Sequence, residues 1–169
     1  MISQMQIKHK YLLLLGVFSI LFTSCKQDSH VLFDEYSRTN GYWSKEDIKT
    51  FVYKTNDTLN PSNLFLNVRV NKDYPYSNMY VIFKIYQPDS SVVIDTLQYQ
   101  MANNDGSLLG TGFSDIKENK LWLKENYVFP SKGSYKFTLE HAVRELGEVK
   151  GVNELPGISE IGLRIETIE

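Results

Sequence analysis

From Leu64 to Val70 every second residue is apolar. Leu64, Leu66, Val68 and Val70 fall on one side, while Phe65, Asn67 and Arg69 fall on the other. A period of two places one set against a core and the other away from it, which is the pattern of a half-buried strand. Met79, Val81, Phe83 and Ile85 repeat the pattern, as do Tyr135, Phe137, Leu139 and His141, and then Ile161, Leu163 and Ile165. Further strands are expected at Val31–Tyr36, Ile48–Lys54, Val92–Met101 and Leu121–Phe129. Asn40-Gly41, Pro61, Pro75, Pro88-Asp89, Asp105-Gly106 and Pro130 stand between these runs as turn signals. A Ser44–Asp47 cap predicts one helical turn, and Arg144–Pro156 predicts a polar connection with another. No long amphipathic helix is written in the chain. About eight strands separated by turns predict an all-β fold, a single antiparallel β-sandwich of Greek-key or jelly-roll type. Gly133-Ser134-Tyr135 resembles the tyrosine corner of Greek-key sandwiches.

The first 25 residues are of a different kind. Lys8, His9 and Lys10 precede an apolar run from Tyr11 to Phe22, and Thr23-Ser24 lead to Cys25, the only cysteine in the chain. As a helix the run would reach ~18 Å at ~1.5 Å per residue, too short for a bilayer core of roughly 30 Å. A basic start, a short apolar run and small residues before a cut make a secretory signal. The cysteine after the cut makes it resemble a lipoprotein signal. Residues 1–24 are therefore expected to be removed, and Cys25 to carry a diacylglycerol and a further acyl chain such as palmitate. Two or more chains anchor stably at ~0.8 kcal/mol per buried methylene. Residues 25–30 read as a tether and 31–169 as the sandwich domain. With no second cysteine the body cannot rely on disulfides.

The chain has 18 Lys+Arg against 20 Asp+Glu, a formal charge of −2. Lys8 and Lys10 leave with the signal, so the exported body is mildly acidic. That argues against nucleic acid, which asks for a basic face. The histidines are His9, His30 and His141, too scattered for a zinc site. His141 reads as a satisfied core residue. No phosphate loop, dinucleotide fingerprint or nucleophile elbow is present. Asp34-Glu35 and Glu46-Asp47 are sequence neighbours, which in strands point to opposite faces and form no dyad. No catalytic residue, metal or cofactor is expected. Arg69, Arg144, Arg164, Trp43 and Trp122 are the candidates for partner contact, the two tryptophans reading first as core or rim packing and second as recognition platforms. Asp57-Thr58-Leu59 and Asp95-Thr96-Leu97 resemble a short O-glycosylation sequon; Thr58, in an expected turn, is the acceptor, while Thr96 falls in an expected strand.

Several segments together resemble the gliding-motility lipoprotein GldH family of Bacteroidetes. They are Cys25, Phe33 and Tyr36 before Trp43, the Leu64–Arg69 strand, Gly110-Thr111-Gly112, and Gly133-Ser134-Tyr135-Lys136-Phe137. The ending adds His141-Ala142-Val143-Arg144, Leu155-Pro156-Gly157-Ile158 and Ile161-Gly162-Leu163-Arg164-Ile165-Glu166. Val143 stands where the family favours methionine. The resemblance implies a non-enzymatic envelope lipoprotein, an accessory of a gliding apparatus linked to type IX secretion. Its partners would be the membrane, through acyl chains on Cys25, and other envelope proteins. Its place would be the outer membrane. A surface glycan-binding module using exposed Trp or Tyr is the alternative, and a hydrolase the third reading.

Overall fold

The computed structural model describes residues 30–112, 114–145 and 147–168. The expected signal, Cys25 and most of the tether lie outside the described residues. Ten strands follow in order: β1 Val31–Arg38, β2 Tyr42–Ser44, β3 Lys49–Thr55, β4 Ser62–Val70, β5 Asn78–Tyr86, β6 Val92–Gln100, β7 Lys117–Tyr127, β8 Gly133–His141, β9 Glu154–Pro156 and β10 Ile158–Thr167. They form one four-stranded sheet in the order β1-β10-β4-β7, a second in the order β3-β8-β5-β6, and a two-stranded sheet of β2 and β9. Every pairing is antiparallel.

The two large sheets face each other. The Phe33 ring of β1 meets the Tyr53 ring of β3 edge-on at 5.7 Å. At the other side Lys124 of β7 pairs with Asp95 of β6 at 2.8 Å, and the Tyr99 hydroxyl donates to the Trp122 carbonyl at 2.6 Å. The alternating apolar sets meet in between: Leu64, Leu66, Val68, Val81, Phe83, Ile85, Phe137, Leu139, Ile161, Leu163 and Ile165 are all fully buried. Phe83 and Phe137 lie parallel with centroids 6.0 Å apart. Among the main strands only β5 and β6 form a direct hairpin; the other connections cross between sheets. Tyr135 makes the expected corner. Its hydroxyl donates to the Ser131 carbonyl at 2.7 Å and accepts from the Ser131 amide at 3.0 Å.

Two expectations are corrected. Among the described residues neither segment forms a helical turn: Ser44–Asp47 closes as a turn, with the Asp47 amide donating to the Ser44 carbonyl at 3.0 Å. The Arg144–Pro156 connection instead contains β9. The β1-to-β3 and β8-to-β10 crossings pair with each other as β2 and β9, Trp43 opposite Leu155. Both residues are fully buried, so this small sheet closes one end of the sandwich. Three-residue strands carry too little periodicity to be read in sequence, and their pairing joins segments more than 100 residues apart.

His141 sits under that lid, 1 % exposed and edge-on to Trp43 at 5.4 Å. The expected core histidine is there, but among the described residues neither ring nitrogen has a partner in good hydrogen-bond geometry. Burial pushes His141 below its ordinary value, with the Lys45 ammonium adding to the shift and Trp43, Asn153 and Glu140 opposing it. The folded protein therefore binds this proton less readily than the unfolded chain. Stability should be fully present above the unfolded value near ~6.5 and fall as pH drops below it. Thermal unfolding at about pH 7.5 and about pH 5.5 checks this, and His141→Leu should flatten the dependence across that window.

Candidate contact face

The side of the β1-β10-β4-β7 sheet turned away from the core is built in three cross-strand rows. Arg38, Glu160, Arg69 and Glu118 form the first; Tyr36, Gly162, Asn67 and Lys120 the second; Asp34, Arg164, Phe65 and Trp122 the third. Neighbours in a row lie close enough to interact directly. The acids and cations are paired: Arg69 with Glu160 and, at 3.1 Å, with Glu118; Arg164 with Asp34 at 2.7 Å and Glu166 at 2.5 Å; Lys120 with Glu166 at 2.7 Å. Single exposed ion pairs contribute little, but a network with shared partners holds its side chains in defined places.

Tyr36 joins the rows. Its ring crosses Gly162 of β10 to reach the two strands beyond. The hydroxyl donates to Glu118 Oε1 at 2.6 Å and accepts from Asn67 Nδ2 at 2.8 Å, while the Arg69 guanidinium lies over the ring, 4.6 Å from its centroid. Burial and the adjacent Glu118 carboxylate hold the phenol well above its ordinary value, so it remains a donor. Burial alone would favour protonated Glu118, but the Tyr36 and Arg69 hydrogen bonds prevail and hold its carboxyl below the usual value. Glu166 follows the same balance, with Lys120 and Arg164 outweighing burial.

Gly162 makes this arrangement sterically open. A Cβ there would lie 2.9 Å from Tyr36 Cδ1 and 3.0 Å from the Glu35 carbonyl oxygen. Gly162→Ala should push the ring off the sheet, break both hydroxyl contacts and cost about 1–3 kcal/mol. The urea midpoint would report this, and Tyr36→Phe should lose less because the ring stays.

At the far side of the face Phe65 is covered by Trp122, ring centroids 4.4 Å apart, and Lys120 Nζ sits 4.1 Å from the Phe65 centroid. Trp122 is 50 % exposed. Three of the five sequence candidates, Arg69, Arg164 and Trp122, are thus brought to one face. The other two are not. Arg144 lines a separate cavity of about 820 Å³ with Tyr76, Tyr80 and Ile82. Trp43 is core packing and not a contact residue: it is fully buried and donates its indole N–H to the Asp47 carbonyl at 2.8 Å. Thr58 lies in a turn where the Asp57 carboxylate accepts from the Leu59 and Asn60 amides. Tyr36, Asn67, Glu118, Lys120, Glu160 and Glu166 went unselected, although alternation already put Asn67 beside Arg69. Only the strand order shows that these residues meet.

The family model described as GldH lipoprotein matches residues 31–165, the extent of the sandwich. The chain belongs to the GldH lipoprotein family. It is 45 % identical over 162 residues to the gliding motility lipoprotein GldH of Flavobacterium johnsoniae, covering 96 % of this chain and 98 % of that one. It is 43 % identical over 147 residues to the gliding motility lipoprotein GldH homolog of Christiangramia forsetii, covering 87 % and 89 %. Among solved structures, a family GH115 4-O-methyl-alpha-glucuronidase is similar at TM-score 0.43 and 9 % identity, covering 87 % of this chain and 19 % of that one. Family membership supports the lipoprotein reading and lends nothing to the glycan-binding alternative.

Proposed function

We propose that this chain is a lipid-anchored protein of the cell envelope, seated at the outer membrane, that serves a gliding-motility apparatus by contact and performs no reaction. Cys25 carries the acyl chains, residues 25–30 form the tether, and residues 31–169 make the body. The partner-binding surface is the outer face of the β1-β10-β4-β7 sheet, with Arg69, Arg164 and Trp122 among its contacts. Arg144 is a contact of a second, smaller surface, and Thr58, in an exposed turn region, an O-glycosylation acceptor. The partners are other envelope proteins.

The observation that carries this reading is near full-length similarity to a gliding motility lipoprotein. The choice of face rests on the Tyr36–Glu118–Arg69 arrangement, which fixes charges on the sheet surface, and on the exposed Trp122 indole held over Phe65 beside it. Ordered side chains at an interface lose little further freedom on binding. A photo-crosslinking amino acid at position 122 should join the protein to envelope partners in intact cells. The same probe at Val52, 57 % exposed on the other large sheet, should not. Equal adducts from both positions would contradict the assignment of the face.

A further inference from the structure

The two large sheets end in four edge strands, β1 and β7 in one and β3 and β6 in the other. Three carry features that discourage pairing with another chain. Strand β1 has Asp34, Glu35 and Arg38 and a register shift between Val31 and Phe33. Strand β7 has Lys117, Glu118, Lys120, Lys124 and Glu125, two shifts against β4, and Asn126 in the left-handed region at φ 53° just before its end. Strand β3 is shorter, at seven residues, and carries Lys54, while its buried Lys49 reaches across to the Arg38 carbonyl of β1 at 2.9 Å.

Strand β6 has none of these. All nine residues, Val92–Gln100, pair with β5 in unbroken register. Its one charge, Asp95, is engaged by Lys124 of the opposite sheet at 2.8 Å. Val92 and Ile94 are 43 % and 59 % exposed. Among the described residues no loop or side chain hydrogen-bonds to the backbone of 92–100 from outside the sheet. A long, regular, nearly uncharged edge is a template for another strand.

We infer that β6 pairs antiparallel with β6 of a second copy of this chain, about a two-fold axis through Thr96. The strand's own sequence selects this occupant. Thr96 is its midpoint, so a two-fold there pairs all nine residues of both copies. The pairing sets Val92 against Gln100, Val93 against Tyr99, Ile94 against Gln98 and Asp95 against Leu97. No like charges meet, and an isologous contact needs that self-complementarity. Two four-stranded sheets become one of eight strands, and the charged face of the other sheet stays free on both copies.

The test uses the full-length chain in its envelope. Thr96→Cys places a thiol on the axis in each copy. Mild oxidation should give a covalent dimer, absent from the wild-type chain, at a yield at least about tenfold above Val52→Cys, whose side chain lies on the far edge strand. Adding Ile94→Lys, a solvent-facing change that puts charge on the edge, should remove most of that dimer without lowering the protein's level. Three results would overturn the inference: a dimer yield no higher from Thr96→Cys than from Val52→Cys, full dimer in the Ile94→Lys background, or Thr96→Cys joined to a different protein.

Discussion

Alanine in place of Gly157 should destabilise the protein by about 3–5 kcal/mol, a large part of the ~5–15 kcal/mol that a domain has. Gly157 lies between β9 and β10, where the chain leaves the small lid sheet for the centre of a large one. Its φ is +77°, in the left-handed region that costs other residues about 1–2 kcal/mol. A Cβ there would stand 2.3 Å from the Tyr74 amide nitrogen and 2.8 Å from Tyr74 Cα. These are backbone atoms with no side-chain rotamer to relieve them. The residue is held on both sides, its amide donating to the Gly41 carbonyl at 2.9 Å and its carbonyl accepting from the Asn71 amide at 2.8 Å. Relief would have to move β9, and with it Leu155 and the cover over Trp43. Thermal unfolding of the purified body should show a fall of roughly 10 °C or more. A shift of a degree or two would mean that the bend is softer than its contacts indicate.

This residue also shows what the sequence could convey. Leu155-Pro156-Gly157-Ile158 stood out as a family segment, but its physical cause, a left-handed bend pressed against the Tyr74 backbone, involves a loop more than 80 residues earlier. The strands were legible where alternation was long. Gly133–His141 has the bounds expected, because Gly133 starts it and its apolar set never breaks phase. The Tyr135 corner was legible too, since its bond to Ser131 is local. Strands β2 and β9 were not, being short and paired only with each other. The contact face was half legible. Arg69 and Arg164 were singled out for their charge, but Tyr36 was only a residue before Trp43 until β10 brought Gly162 beneath it. Trp43 took the packing reading of the two open to it, and an indole near a turn carries no mark of burial when its cover comes from the far end of the chain.

Cys25→Ala should move the protein from the membrane fraction to the soluble one. The thiol is the only sulfhydryl in the chain, so no other cysteine can take its place. One acyl chain binds a membrane marginally and two or more bind stably, so loss of the lipid should release almost all of the body. The fold should persist, because the first strand starts at Val31 and the matched family unit begins there as well. Fractionation after a high-salt wash, followed by a melting curve of the released protein, checks both parts. A body still in the membrane pellet, with the wild-type melting temperature, would show that something other than Cys25 holds it there.

Gliding itself is the most direct measurement. A Flavobacterium johnsoniae strain lacking its own gliding motility lipoprotein GldH would carry this chain, and colony spreading would be scored beside the level of membrane-bound protein. Spreading should return with the unaltered chain and fail with Arg69→Glu, which sets a third acid between Glu118 and Glu160, at equal membrane levels. Cells that stay immobile with the unaltered chain abundant and anchored, or that spread as well with Arg69→Glu, would contradict a lipid-held protein working through that sheet face.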